Sequence, residues 1–216
     1  MTFVNDNNIL LQKIEATLLD QKKVSLFILR EDLIHPIISG NKWRKLKYNV
    51  KEAKEKGFDT IVTFGGAFSN HIAATAAAGA AANLKTIGII RGDKVSNATL
   101  DLAENNGMKF QFVSREAYRK KDSSLYSNCY VIPEGGSNEL ALKGCAEIVE
   151  NININYDLIC CAIGTGGTIA GIISSTSKEV IGFPALKGGQ FLEADIKKLL
   201  LLIEPKKQFD NWRLIT

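Results

Sequence analysis

A lysine at the corner between a loop and a helix is either a solvated charge or the reactive amine of an enzyme. Lys42 sits at such a corner, in SGNKWRKL (39–46). Partial desolvation, with Arg44 and Lys45 crowding it, would lower its pKa and make it nucleophilic. Three glycine-rich strings supply groups for that amine to work with. In TFGGAFSNH (63–71), Gly65 and Gly66 permit a tight turn. Ser69, Asn70 and His71 then present backbone N–H groups at a helix start, an end that attracts carboxylate or phosphate. In AIGTGGTIAG (162–171), Gly164, Gly166 and Gly167 leave the backbone unobstructed while Thr165 and Thr168 add hydroxyls, which makes a phosphate cup. PEGGSNELALKG (133–144) repeats the design, and Ser137 or Asn138 as an N-cap explains it alone. The plain alternative for each string is a glycine turn before a capped helix, with no ligand.

The 162–171 loop does not follow the GxGxxG dinucleotide spacing cleanly, has no acidic residue at the usual distance beyond it, and lacks the Lys-Ser/Thr ending of a P-loop. A phosphate cup together with a reactive lysine is the constellation of a pyridoxal phosphate enzyme.

These residues need a frame, and the chain alternates β-rich runs with helical ones. Strands are predicted at 24–30, 60–64, 85–92, 109–113, 130–133, 157–163 and 179–186, and helices at 42–56, 69–82, 97–106, 138–151 and 167–175. The βαβ alternation predicts an α/β fold, an open and mostly parallel sheet with helices on both faces. At 216 residues, 45% apolar, the chain can bury one sizeable core or two small lobes.

Charge and cysteines narrow the partners. Lys and Arg number 27 against 23 acidic residues, and the basic run from Lys42 to Lys56 is interrupted by Glu52 and Glu55 with no aromatic ladder. It reads as a solvated helix face, not a nucleic-acid surface. Cys129, Cys145, Cys160 and Cys161 lack CxxC spacing, and the adjacent pair lies in DLICCAI (157–163), which reads as a buried strand. With no secretory signal and no membrane-length apolar stretch, they read as reduced, buried thiols of a cytoplasmic protein without a metal site.

Taken in order, LREDLIHPIISGNKWRKLKY, TFGGAFSNHIAATAAAG, PEGGSNELALKG and AIGTGGTIAGI closely resemble the 1-aminocyclopropane-1-carboxylate deaminase and D-cysteine desulfhydrase family. That family belongs to the tryptophan-synthase-β-like, fold-type II pyridoxal phosphate enzymes, and the resemblance runs from about Leu29 through the helix after the glycine loop. It implies pyridoxal 5'-phosphate as cofactor and a small amino acid as substrate, deaminated to ammonia and a 2-oxo acid. Lys42 matches the lysine that holds the cofactor covalently and shuttles protons once substrate displaces it. Lys45 and the loop Gly164, Thr165, Gly166, Gly167 and Thr168 match the groups around the cofactor phosphate. Asn70 matches the asparagine that bonds the pyridine 3′-oxygen. Ser69, Asn70 and His71 match the loop that holds the substrate carboxylate, and Ser69 also lies near the reacting carbon in the deaminases.

The resemblance further implies two lobes, a larger one from 1–44 and 134–216 and a smaller inserted one from 45–133, and by family analogy a homodimer. Family members continue past the position of Thr216, where the partner of the pyridine nitrogen and the tyrosines near the substrate are expected. On that pattern the C-terminal part is missing, and the alternative function is an impaired protein that only binds pyridoxal phosphate or a phosphate ligand. His35, before Pro36, reads as a loop histidine, and Trp43 and Trp212 as packing residues.

Overall fold

The computed structural model describes residues 9–216. An antiparallel pair opens it: β1 (Leu11–Ile14) and β2 (Leu26–Leu29), with Leu11 opposite Leu29 and α1 (Thr17–Lys22) between them in the chain. There follow α2 (Asn41–Glu55), β3 (Thr60–Gly66), α3 (Asn70–Ala81), β4 (Lys85–Arg91), α4 (Ala98–Asn105), β5 (Met108–Val113), α5 (Arg115–Lys120) and β6 (Tyr130–Ile132). The four strands β3 to β6 form one parallel sheet in the order β5-β4-β3-β6. The rest comprises α6 (Glu139–Ala146), β7 (Leu158–Ile163), α7 (Gly167–Ser175), β8 (Glu179–Pro184), α8 (Leu192–Ile203) and β9 (Trp212–Leu214), with a second parallel sheet ordered β7-β8-β9.

Burial explains these elements. The first six residues of β3, Thr60 to Gly65, are buried on both faces, as a central parallel strand requires. In α3 the run from His71 to Gly79 is also buried, because alanines let the helix lie close against its neighbours. Trp43, Leu46, Val50 and Ala53 recur at helical spacing on α2 and pack with Ile61, Ala74, Ala78 and Ile132. A second core gathers Leu142, Ile163, Ile169, Ile173, Val180 and Ile196 from α6, β7, α7, β8 and α8. Its sheet and that of β3 to β6 each send helices away from the C-terminal ends of their strands, the place where such folds build sites.

Three expectations change. The 24–30 strand joins β1 in a separate antiparallel pair rather than a parallel sheet. β7 packs one face, with Ile159, Cys161 and Ile163, on the second core and leaves the other face open, so its burial alternates; Leu158 is 42% exposed and Cys160 is exposed as well. All four cysteines are free, but of these only Cys145 is fully buried.

Candidate active site

The first turns of three helices meet around one cavity of about 260 Å³. The start of α2 contributes Asn41, Lys42 and Lys45, and the start of α3 contributes Ser69, Asn70 and His71. From the turn between β7 and α7 come Gly164, Thr165, Gly166 and Thr168. Of the residues expected to bind cofactor or substrate, Lys42, Lys45, Ser69, Asn70, His71, Gly164, Thr165, Gly166 and Thr168 line the cavity, and Gly167 does not.

The turn into α7 depends on two glycines. Gly166 is the N-cap with φ +81°, a left-handed backbone that side chains resist. At Gly167 a methyl group would stand 2.8 Å from Ser137 Oγ and 3.1 Å from Lys45 Nζ. Bare backbone there lets the ammonium sit against the helix start. Ser69 is the N-cap of α3, yet its hydroxyl makes no capping bond, which leaves it for the cavity.

The two lysines are held differently. Lys45 Nζ donates to Gly135 O at 2.9 Å, Thr165 Oγ1 at 3.3 Å and Ser137 Oγ at 3.4 Å. Burial pushes its pKa down from 10.5 to about 8. Lys42 Nζ donates to Asn41 Oδ1 at 2.7 Å, and its pKa is also lowered by burial, while Cys145 works in the opposite direction. Crowding by Arg44 is not the cause. That guanidinium turns away, to Glu31 at 3.0 Å and Glu147 at 3.3 Å.

His71 is fully buried, and its tautomer follows from its neighbours. Thr63 Oγ1 gives its single hydrogen to Ile132 O at 2.9 Å, so it can only accept from His71 Nε2, 2.8 Å away. Nδ1 is left as a buried acceptor without a hydrogen-bond partner among the described residues. Burial, reinforced by the charges of Lys45 and Lys42, lowers the histidine pKa to about 3 and keeps the ring neutral.

Sequence reading missed Asn41, Gly135 and Ser137. Asn41 stood inside the quoted SGNKWRKL string without a task. Gly135 and Ser137 belong to the third glycine string, for which the N-cap explanation was sufficient; Asn138 does cap α6 by accepting from Ala141 N at 3.0 Å. His35 behaves as a loop residue, its Nδ1 accepting from the backbone of Ile37 and Ile38, and Trp43 and Trp212 pack in the two cores.

Two ammonium groups, an open glycine turn and two helix N-termini suit a ligand with a phosphate at one end and a carboxylate-bearing partner at the other. The bare backbone at Gly167, which a methyl group would fill, makes room for the Lys45 ammonium at the start of α7, a cation placed for a phosphate, so the residues present fit pyridoxal phosphate. A family profile described as pyridoxal-phosphate dependent enzyme matches residues 11–187. The chain belongs to that family, with the α/β fold of its fold-type II members.

Within the family, the resemblance read from the motifs is borne out. A Thermotoga maritima protein, provisionally named a 1-aminocyclopropane-1-carboxylate deaminase, is 38% identical over 169 residues, covering 71% of this chain and 54% of that protein. The mitochondrial bifunctional D-cysteine desulfhydrase/1-aminocyclopropane-1-carboxylate deaminase of Arabidopsis thaliana is 35% identical over 177 residues, covering 68% and 44%. The chain spans about half the length of these curated relatives. A solved structure described as an ACC deaminase homologue superposes with a TM-score of 0.82 at 23% identity, over 96% of this chain and 71% of its own. No helix among the described residues is long and apolar enough to cross a membrane.

Proposed function

We propose that the chain builds the cofactor and substrate site of a deaminase or desulfhydrase that releases ammonia and a 2-oxo acid from a small amino acid, 1-aminocyclopropane-1-carboxylate or D-cysteine. The observation that carries this reading is the placing of Lys42 and Lys45 in one cavity with the 164–168 turn and the start of α3.

In this reading Lys42 holds the cofactor through Nζ. Lys45 and the N–H groups from Gly164 to Thr168 grip the phosphate, and Asn70 bonds the ring oxygen. When bound, pyridoxal phosphate supplies an electron sink for bonds at the substrate α-carbon. Ser69 and the N–H groups of Asn70 and His71 receive the substrate carboxylate and hold the reacting carbon against Lys42. Burial keeps the Lys42 amine less basic than a surface lysine, which suits Nζ to take the α-proton of D-cysteine. 1-Aminocyclopropane-1-carboxylate has no α-proton, so ring opening starts elsewhere, with Ser69 beside the reacting carbon.

The proposal divides the chain into a larger lobe (1–44 and 134–216) and a smaller one (45–133). It is supported by the two parallel sheets, since β3 to β6 fall in the second range and β7 to β9 in the first. It extends to a cytoplasmic homodimer, a placement supported by four free cysteines and an assembly supported by the exposed Leu201 and Leu202 of α8.

The test is to mix the purified chain with pyridoxal phosphate and record the visible absorption band, then 2-oxo acid release from each amino acid. Band and release are expected in the wild type and absent in Lys42→Ala. A band of equal strength in Lys42→Ala overturns the lysine assignment, and a wild-type band without release leaves a protein that holds the cofactor and turns nothing over.

A further inference from the structure

We propose that Asn41 is a positioning residue that fixes the Lys42 amine on the cavity wall; the role rests on the reading of Lys42 as the cofactor lysine. Lys42 Nζ donates to Asn41 Oδ1 at 2.7 Å, and Asn41 Nδ2 donates to Thr168 Oγ1 at 2.6 Å. The amide orientation is settled by its partners, because an ammonium offers donors only and must meet the oxygen, which turns the nitrogen to Thr168. Thr168 also lies beside the buried Cys145 thiol on α6. A chain of side chains thus runs from the amine on α2 through an amide to a hydroxyl in the first turn of α7, joining residues 127 positions apart.

Asn41 has a simpler reading as a helix-starting residue, and the structure argues against it. The N-cap of α2 is Gly40, with φ +59°, and no side chain caps the helix. The Asn41 side chain is spent on Lys42 and Thr168 instead. Among the described residues, the titratable groups around the amine are Lys45 on α2, His71 on α3 and Cys145 on α6. Lys45 is a cation, His71 is neutral, and burial holds Cys145 up at about 11, so none offers a negative charge at neutral pH. The amide oxygen carries the stabilisation of the ammonium. Lysine has a long stem with several rotatable bonds, and an amine released from the cofactor would otherwise wander. Docked on Asn41, it stays between the phosphate cup and the start of α3.

Brief acetylation of the purified chain with acetic anhydride across the alkaline range, read by peptide mass spectrometry, gives the pH midpoint for Lys42, with the other lysines as internal references. Asn41→Ala removes the acceptor of the charged amine and is expected to lower that midpoint by about one pH unit, a rise of about tenfold in Lys42 labelling at a fixed pH below it. Asn41→Asp restores an acceptor with a charge and is expected to raise the midpoint above that of the wild type. Unchanged midpoints in both variants overturn the positioning role. If Asn41→Ala does not fold, the direction of the Asn41→Asp shift decides alone. Pyridoxal phosphate is expected to shield wild-type Lys42 from the reagent; an unshielded Lys42 overturns the cofactor reading beneath, separately from the midpoints.

Discussion

Replacing Lys45 with methionine is expected to make the chain more stable and its cofactor binding worse. Lys45 is 3% exposed, and its pKa falls from 10.5 to about 8 on burial. A folded-state pKa below the unfolded one means that unfolding is favoured while the lysine is charged, with the full penalty felt below about pH 8. At about 1.4 kcal/mol for each tenfold change in proton affinity, that penalty is about 3 kcal/mol at neutral pH. Methionine removes it and fills similar volume. The bonds to Gly135 O, Ser137 and Thr165 are lost, though Ser137 and Thr165 still bond each other at 2.8 Å. Allowing about 1–2 kcal/mol for those losses leaves a gain of about 1–2 kcal/mol, or about 2–8 °C in Tm for a chain of this size. Without the ammonium, the affinity for pyridoxal phosphate is expected to drop about 10- to 100-fold, the worth of a charged hydrogen bond. Thermal melts without cofactor and a titration of the visible band measure the two effects. A variant that melts below the wild type, or that binds pyridoxal phosphate equally well, refutes the view that this ammonium is stored at a cost for a phosphate.

His71 sets an acid limit on stability. It is neutral in the folded chain above about pH 3 but protonates near 6.5 when unfolded, so stability is lost as pH falls through that window, by about 1.4 kcal/mol per pH unit. Urea unfolding of wild type and His71→Gln between about pH 6 and 4 should show a shallower decline in the variant, and parallel declines would contradict the buried neutral ring. Gly144→Ala puts a methyl group 1.9 Å from the backbone oxygen of Arg44, so α2 and α6 must part. A loss of about 1–3 kcal/mol by chemical denaturation is expected, and a wild-type midpoint would rule out so close an approach.

The alternating pattern and the glycine strings made the β3-to-β6 sheet, its helices other than α5 and most of the polar cavity lining legible in advance. What they share is local chemistry: apolar runs bounded by glycine turns, each followed by polar residues at a helix start. β1, α1, α5 and α8 went unread, the first because four residues with two exposed in the middle carry no strand signal. β7 was misjudged as buried because Leu158 to Ile163 is apolar throughout, and composition cannot reveal that one face of a strand is left uncovered. Asn41 was invisible for a different reason. Its task depends on Thr168, and a bond between residues far apart in the chain leaves no trace in spacing.

The placing of Arg44 between two carboxylates has a consequence for how α2 settles into the fold. Along Lys42, Trp43, Arg44 and Lys45, successive side chains go to the cavity, the apolar core, the carboxylates of Glu31 and Glu147, and the cavity again. A slip of one position would bury the indole beside the phosphate cup and leave both acids facing a flexible ammonium or nothing. Each wrong alignment strands a buried charge, which costs several kcal/mol, even though such a pair adds little net stability when correctly made. The arginine thus acts as an index pin, admitting one rotation of the helix and thereby deciding which two of its neighbouring amines reach the cavity.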